Sequence, residues 1–163
     1  MDGDPPGDGW EHADLVRLDV NPDHEPDVVH DLEVLPYPFA DDEFDRIDAY
    51  EILEHLGRQG DYRAFFGQFS ELWRILKPGG FLAATCPSYK SLWAWGDPSH
   101  TRVLTSGSLV FLSQAQYTDQ IGKTAMSDFR FCYHADFETA WAEEDSQKLL
   151  FVLQAVKPSR LLA

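Results

Sequence analysis

The sequence predicts an α/β fold in one domain, with a mostly parallel sheet that ends in an antiparallel C-terminal hairpin. Three observations carry this. Short runs rich in β-branched residues recur near the start, one strongly amphipathic helix follows them, and a buried-strand pattern comes directly after that helix. At 163 residues the chain is long enough for a single core, and contents of 44% hydrophobic and 13% aromatic residues argue against general disorder.

Residues 1–12 read as an irregular segment, since "MDGDPPGDGW" is acidic and rich in Gly and Pro. "ADLVRLDVN" predicts a strand from about Ala13 to Val20, closed by the turn-forming Asn21-Pro22-Asp23. "PDVVHDL" supplies a shorter strand around Val28 to His30, and "EFDRIDAYEIL" a third around Arg46 to Tyr50, after the polar turn Asp41-Asp42-Glu43. The clearest helix lies in "DYRAFFGQFSELWRILKPGG". Its apolar positions Phe65, Phe66, Phe69, Leu72, Trp73 and Leu76 repeat at three and four residues, Lys77 suits its negative end, and Pro78-Gly79-Gly80 stops it. "FLAATCP" from Phe81 then reads as a strand buried on both faces.

"SYKSLWAWGDPSHTRVLT" is aperiodic and aromatic, a long loop of the kind that often carries function. Ser106 is placed to cap a short helix over "GSLVFLSQAQY". "DFRFCYHADFETAWA" and "KLLFVLQAVKP", joined through the charged "EEDSQ", predict the hairpin.

Composition excludes several functions. Thirteen Lys and Arg against 28 Asp and Glu give a formal net charge of −15. The basic residues form no run that could follow a phosphate backbone, so neither nucleic acid nor an anionic membrane is an expected partner. No apolar stretch is long enough to span a bilayer and the N-terminus lacks the basic-then-apolar pattern of a signal peptide, so the expected location is the cytoplasm. Cys86 and Cys132 sit in apolar runs without a ligand-spaced partner and are expected to be small buried hydrophobes.

In open α/β sheets, ligands sit beyond the carboxyl ends of the strands, which directs attention to carboxylates at those ends. Asp19 could accept hydrogen bonds from a ribose diol, or serve only in a local turn ahead of Pro22. Asp31 and Leu32 could meet an adenine edge through a side-chain acceptor and a backbone amide, or merely cap a strand end. Tyr50 and Glu51 end the third strand, and Glu54 and His55 fall in what should be the first turn of a helix. Glu51 and His55 would then share a helix face. One His and one carboxylate are too few for a metal, and His24, His30, His100 and Asp97 show no recognisable ligand spacing, so no metal site is expected.

"LDVNP", "VVHDLEVLPYPFADDEFDRIDAYEILEHL" and "LWRILKPGGFLAATCPSY", in this order, followed by "WGDPSHTRVLT", resemble class I S-adenosylmethionine-dependent methyltransferases, short forms especially, from about Trp10 to Tyr117. The resemblance implies a Rossmann-like methyltransferase fold with S-adenosylmethionine as cofactor. It implies that Asp19 holds the ribose, that Asp31 with Leu32 holds the adenine, and that Tyr50 and Glu51 lie near the methionine part. His55 would line the active cleft, and the loop from Trp93 to His100 would close over the substrate. His55 and His100 are the candidate general bases, should the acceptor have to lose a proton.

One departure stands out: the family places a first strand and a Gly-rich turn ahead of the position of Asp19, and neither is found here. The fold is therefore expected to be N-terminally incomplete, and a gap in the sheet centre to favour a homo-oligomer. Two functions stay open. One is methyl transfer to a small-molecule or sugar-like acceptor; the other is a catalytically degenerate methyltransferase-fold module kept for binding or assembly. A dinucleotide-dependent oxidoreductase is the weaker third, since the glycines that would cradle a pyrophosphate are missing.

Overall fold

A computed structural model describes residues 14–162, so the irregular segment expected over residues 1–12 lies outside the described residues. The chain forms two compact units, one ending at Asp31 and one beginning at Leu32.

In the first unit, β1 (Leu18–Asp19) pairs in parallel with β2 (Val28–Val29), Leu18 facing Val28 and Asp19 facing Val29. Both strands are shorter than their apolar runs suggest. The connection between them is held by side chains that take backbone donors for themselves. Asn21 caps a single 3₁₀ turn, Pro22–His24, by accepting from the Asp23 amide at 2.9 Å. The carboxylate of Asp27 accepts from the Arg17 amide at 2.8 Å. Asx and Pro chemistry of this kind competes with strand pairing, and here it leaves only two residues of each run in the ladder.

The second unit is built on a four-stranded sheet in the order β3-β4-β6-β5. β3 (Phe44–Tyr50) runs parallel to β4 (Leu76–Pro87), and β6 (Lys148–Ala155) lies antiparallel between β4 and β5 (Phe137–Glu144). The hairpin is therefore present, but its second strand inserts next to β4 and leaves β5 on the edge. That makes the described sheets mixed rather than mostly parallel. Residues 128–136, read as part of a strand, are irregular.

Helix α1 (Tyr62–Ile75) joins β3 to β4, its first turn capped by Asp61, which accepts from the Ala64 amide at 3.1 Å. Its apolar stripe buries Phe66, Phe69, Leu72 and Ile75 in the core. Burial of each of these side chains contributes roughly 1.5–3 kcal/mol. Contrary to the expected stop at Pro78-Gly79-Gly80, the helix ends at Ile75 and β4 begins with Leu76, wholly buried. Leu76 pairs with Phe44 and Phe81 with Arg46, so Lys77 to Gly80 bulge out of the ladder opposite Asp45. Gly79 takes φ +78 in that bulge, and a Cβ on Gly80 would stand 3.0 Å from the Asp45 carbonyl oxygen. Lys77 serves the bulge instead of the helix end, with its Nζ 2.7 Å from Asp45.

The aromatic loop after β4 contains a short helix, α2 (Trp93–Gly96). The helix expected over "GSLVFLSQAQY" is two: α3 (Ser106–Val110) and α4 (Gln114–Gln120). Thr105, not Ser106, is the cap of α3, in a reciprocal box with Ser108. Cys86 is buried as expected, whereas Cys132 is exposed because its segment is not a strand. Among the described residues no helix is long and apolar enough to cross a membrane.

Candidate functional site

In the first unit, Asp19 ends β1 and is committed to its own turn. Its Oδ1 accepts from the Asn21 amide at 2.8 Å and its Oδ2 lies 2.9 Å from His24 Nδ1. The His24 ring, with the Asn21 amide, holds this carboxyl below the usual carboxylate range. Each oxygen retains a lone pair, and the side chain is 37% exposed, so the acceptor capacity a diol requires is still there. Asp31 lies two residues after β2 and is exposed.

In the second unit, Leu32 packs on the core, and its carbonyl accepts from the Tyr37 hydroxyl at 3.2 Å. Tyr50 is the last residue of β3. Its side chain falls on the same face as Arg46 and Asp48, and its hydroxyl donates to Asp48 at 2.8 Å while accepting from Arg46 at 3.1 Å. Partial burial, then the Asp48 carboxylate, pushes this phenol up. Glu51 turns the chain at φ 51 as it leaves the sheet; its Oε1 accepts from Thr85 Oγ1 at 2.9 Å and lies 3.2 Å from Lys148 Nζ. The strand ends of β3 and β4 thus meet at Glu51 and Thr85.

The helix expected to align Glu51 with His55 does not form. A single 3₁₀ turn, Leu53–His55, follows instead, because the left-handed backbone at Glu51 cannot belong to a right-handed helix. The partner of His55 is His100. Their ring centroids are 4.8 Å apart and nearly perpendicular.

The two segments are clamped together at the main chain of the 53–54 turn: the Thr101 and Arg102 amides both donate to the Glu54 carbonyl, at 2.9 and 3.2 Å, and the Arg102 side chain donates through Nε to the Leu53 carbonyl at 2.8 Å. Both imidazoles are also oriented by main chain. His55 Nδ1 lies 3.2 Å from the Ser99 carbonyl oxygen and His100 Nδ1 lies 2.9 Å from that of Trp93. A carbonyl oxygen only accepts, so each Nδ1 carries a proton, and it is Nε2 that offers a lone pair whenever the ring is neutral.

Sequence reasoning assigned no role to two further side chains of this region. Glu54 is only 2% exposed, and burial, then the neighbouring Glu51 charge, raises its pKa, with the His55 and His100 rings opposing. The Arg102 guanidinium is buried, and desolvation pulls it down to about 10. The signal for Glu54 was a carboxylate between Leu53 and His55 in an apolar run; nothing local marked Arg102.

A cavity of about 630 Å³ opens in this unit between the start of α1, the segment from Arg102 to Thr105, and α3. Phe65, Phe66, Phe111 and Phe129 supply apolar walls, and Arg58 and Arg102 supply charge. None of the site residues picked from sequence lines it.

A parallel β3–α1–β4 unit with an antiparallel hairpin beside it, carrying polar groups at the strand ends, defines a ligand-binding α/β protein of the Rossmann-like class. Residues 11–84 match the family model for a methyltransferase domain. The fold is similar to that of a SAM-dependent methyltransferase from Archaeoglobus fulgidus, with a TM-score of 0.50 and 14% identity over 84% of this chain and 74% of that one. The N-methyltransferase NodS from Bradyrhizobium japonicum matches with a TM-score of 0.49 and 15% identity, over 86% of this chain and 72% of that one. No curated protein sequence matches. The matched segment and the shared fold agree with the resemblance to class I S-adenosylmethionine-dependent methyltransferases.

That family implies S-adenosylmethionine as cofactor, and the donor chemistry suits it. Within the second unit, Glu51 is a partly exposed carboxylate with acceptor capacity to spare, which suits a cationic ammonium group.

Proposed function

We propose that this protein transfers a methyl group from S-adenosylmethionine to a small-molecule or sugar-like acceptor. The observation that carries the reading is a methyltransferase-like fold in which the chain leaves β3 at the Glu51 carboxylate, an acceptor that Thr85 of the parallel neighbour β4 holds by donating its hydroxyl. In this reading Asp19 takes the ribose, Asp31 with Leu32 the adenine, and Tyr50 and Glu51 the methionine part. The bound cofactor supplies a methyl group on a sulfonium, and the protein supplies alignment of that group with the acceptor. Where an acceptor proton must leave, His55 or His100 takes it through Nε2. A cavity of about 630 Å³ with aromatic walls supports an organic acceptor of modest size. One domain, a cytoplasmic location and self-association belong to the same proposal. The exposed Leu92, Trp93 and Trp95 on and beside α2 support the last of these.

A second reading, the degenerate binding module, draws support from the engagement of Asp19 by Asn21 and His24 and of Glu51 by Lys148. Calorimetric titration with S-adenosylhomocysteine separates the two. The enzyme reading expects micromolar binding whose heat disappears in Asp19→Ala. A folded, monodisperse sample that takes up none would favour the module.

A further inference from the structure

We infer that Glu54, His55 and His100 form a binding site for one first-row divalent cation of the Zn²⁺ or Co²⁺ type. The inference does not depend on methyl transfer. It rests on three features of the second unit. One donor atom from each of the three residues lies within 4.8 Å of the others. Neither carboxylate oxygen of Glu54 has a hydrogen-bond partner among the described residues, although the side chain is sealed from solvent. Both imidazoles spend Nδ1 on a main-chain carbonyl, which is the arrangement that orients metal-ligating histidines.

The chemistry favours a cation over the alternatives. A buried carboxylate without a hydrogen-bond partner is costly, and Arg102 does not supply one: it gives its Nε to the Leu53 carbonyl and makes no ion pair with Glu54. Asp97 is not a competitor for the centre, since its Oδ1 already accepts from the Ser99 amide and hydroxyl and its Oδ2 stands 3.9 Å from His100 Nε2. Two imidazole nitrogens and one carboxylate oxygen suit zinc and its neighbours better than magnesium, which prefers oxygen ligands. Metal bonds of about 2.0–2.2 Å bring donors to roughly 3–4 Å of each other, a small contraction from the spacing seen.

Three protein ligands leave a coordination position open. With an ion bound, the two Nε2 atoms are ligands instead of bases. Deprotonation of a coordinated hydroxyl or water then rests on the ion's charge.

The test uses the full chain stripped of metal by chelator and dialysis. Isothermal titration with ZnCl₂ should show about one equivalent bound, and Zn²⁺ should raise the melting temperature. Glu54→Gln, His55→Ala and His100→Ala should each weaken binding at least tenfold with an unchanged circular dichroism spectrum. The wild-type titration requires no variant, so a variant that fails to fold does not blunt the test. A wild-type chain that takes up no Zn²⁺, affinity unchanged in all three variants, or a preference for Mg²⁺ would each overturn the assignment.

Discussion

Two buried carboxylates in the second unit have opposite surroundings. Asp136 is 0% exposed and accepts from the Gln114 amide, the Arg160 amide and the Arg160 side chain, at 2.8–2.9 Å. It ties the start of α4 to the chain that follows β6. Glu54 is nearly as deeply buried, and among the described residues its carboxylate accepts no hydrogen bond. A carboxylate saturated with donors is a structural joint, whereas one held dry and empty beside two oriented imidazoles is poised for a ligand. Glu71 stands between them, mostly buried, receiving the Tyr37 amide and a two-pronged contact from Arg74.

The contrast breaks if Asp136 proves dispensable. Asp136→Ala strands the Gln114 amide and leaves Arg160 without its main partner, so chemical denaturation should show a loss of about 3 kcal/mol. Glu54→Gln in metal-free protein removes a buried carboxyl group that no hydrogen bond within the described residues holds. Its unfolding free energy should stay within about 1 kcal/mol of wild type or rise, and a loss as large as that of Asp136→Ala would show that Glu54 is structural too.

The smallest effect concerns pH. The Arg74 guanidinium lowers the Glu71 pKa below its ordinary value of 4.5, outweighing desolvation. The folded value being the lower one, this contribution is present above the unfolded value and disappears as pH falls through the folded one. Melting temperature followed below pH 5 should therefore drop less steeply in Glu71→Gln than in wild type.

Much of the fold was legible because it rests on local pattern. The stripe Phe66, Phe69, Leu72 and Ile75 marks α1 by its spacing alone, and the run from Phe81 marks β4 by its unbroken apolarity. The boundaries were less legible. Leu76 fits the helical stripe yet starts a strand, since the bulge from Lys77 to Gly80 lets the chain reverse without a separate turn. Residues 128–136 alternate like a strand yet form none, and Tyr133 is buried there with its hydroxyl on the Leu112 carbonyl.

For the candidate site, the sequence singled out His55 and His100 separately and set His55 beside Glu51 on a helix face that does not form. Glu51 and His55 are four apart, which matters only on a helix, and the left-handed backbone at Glu51 removes the helix.

From the sequence alone came the resemblance to methyltransferases, the amphipathic helix and the strand that follows it, since each is written in residue type and short-range period. Bringing His100 against His55 across 45 positions, and leaving Glu54 dry between them, was decided only in three dimensions. The main-chain part of the cause is the pair of amides, Thr101 and Arg102, that donate to the Glu54 carbonyl. Peptide groups are the same for every residue, so such bonds leave no trace in the order of the side chains.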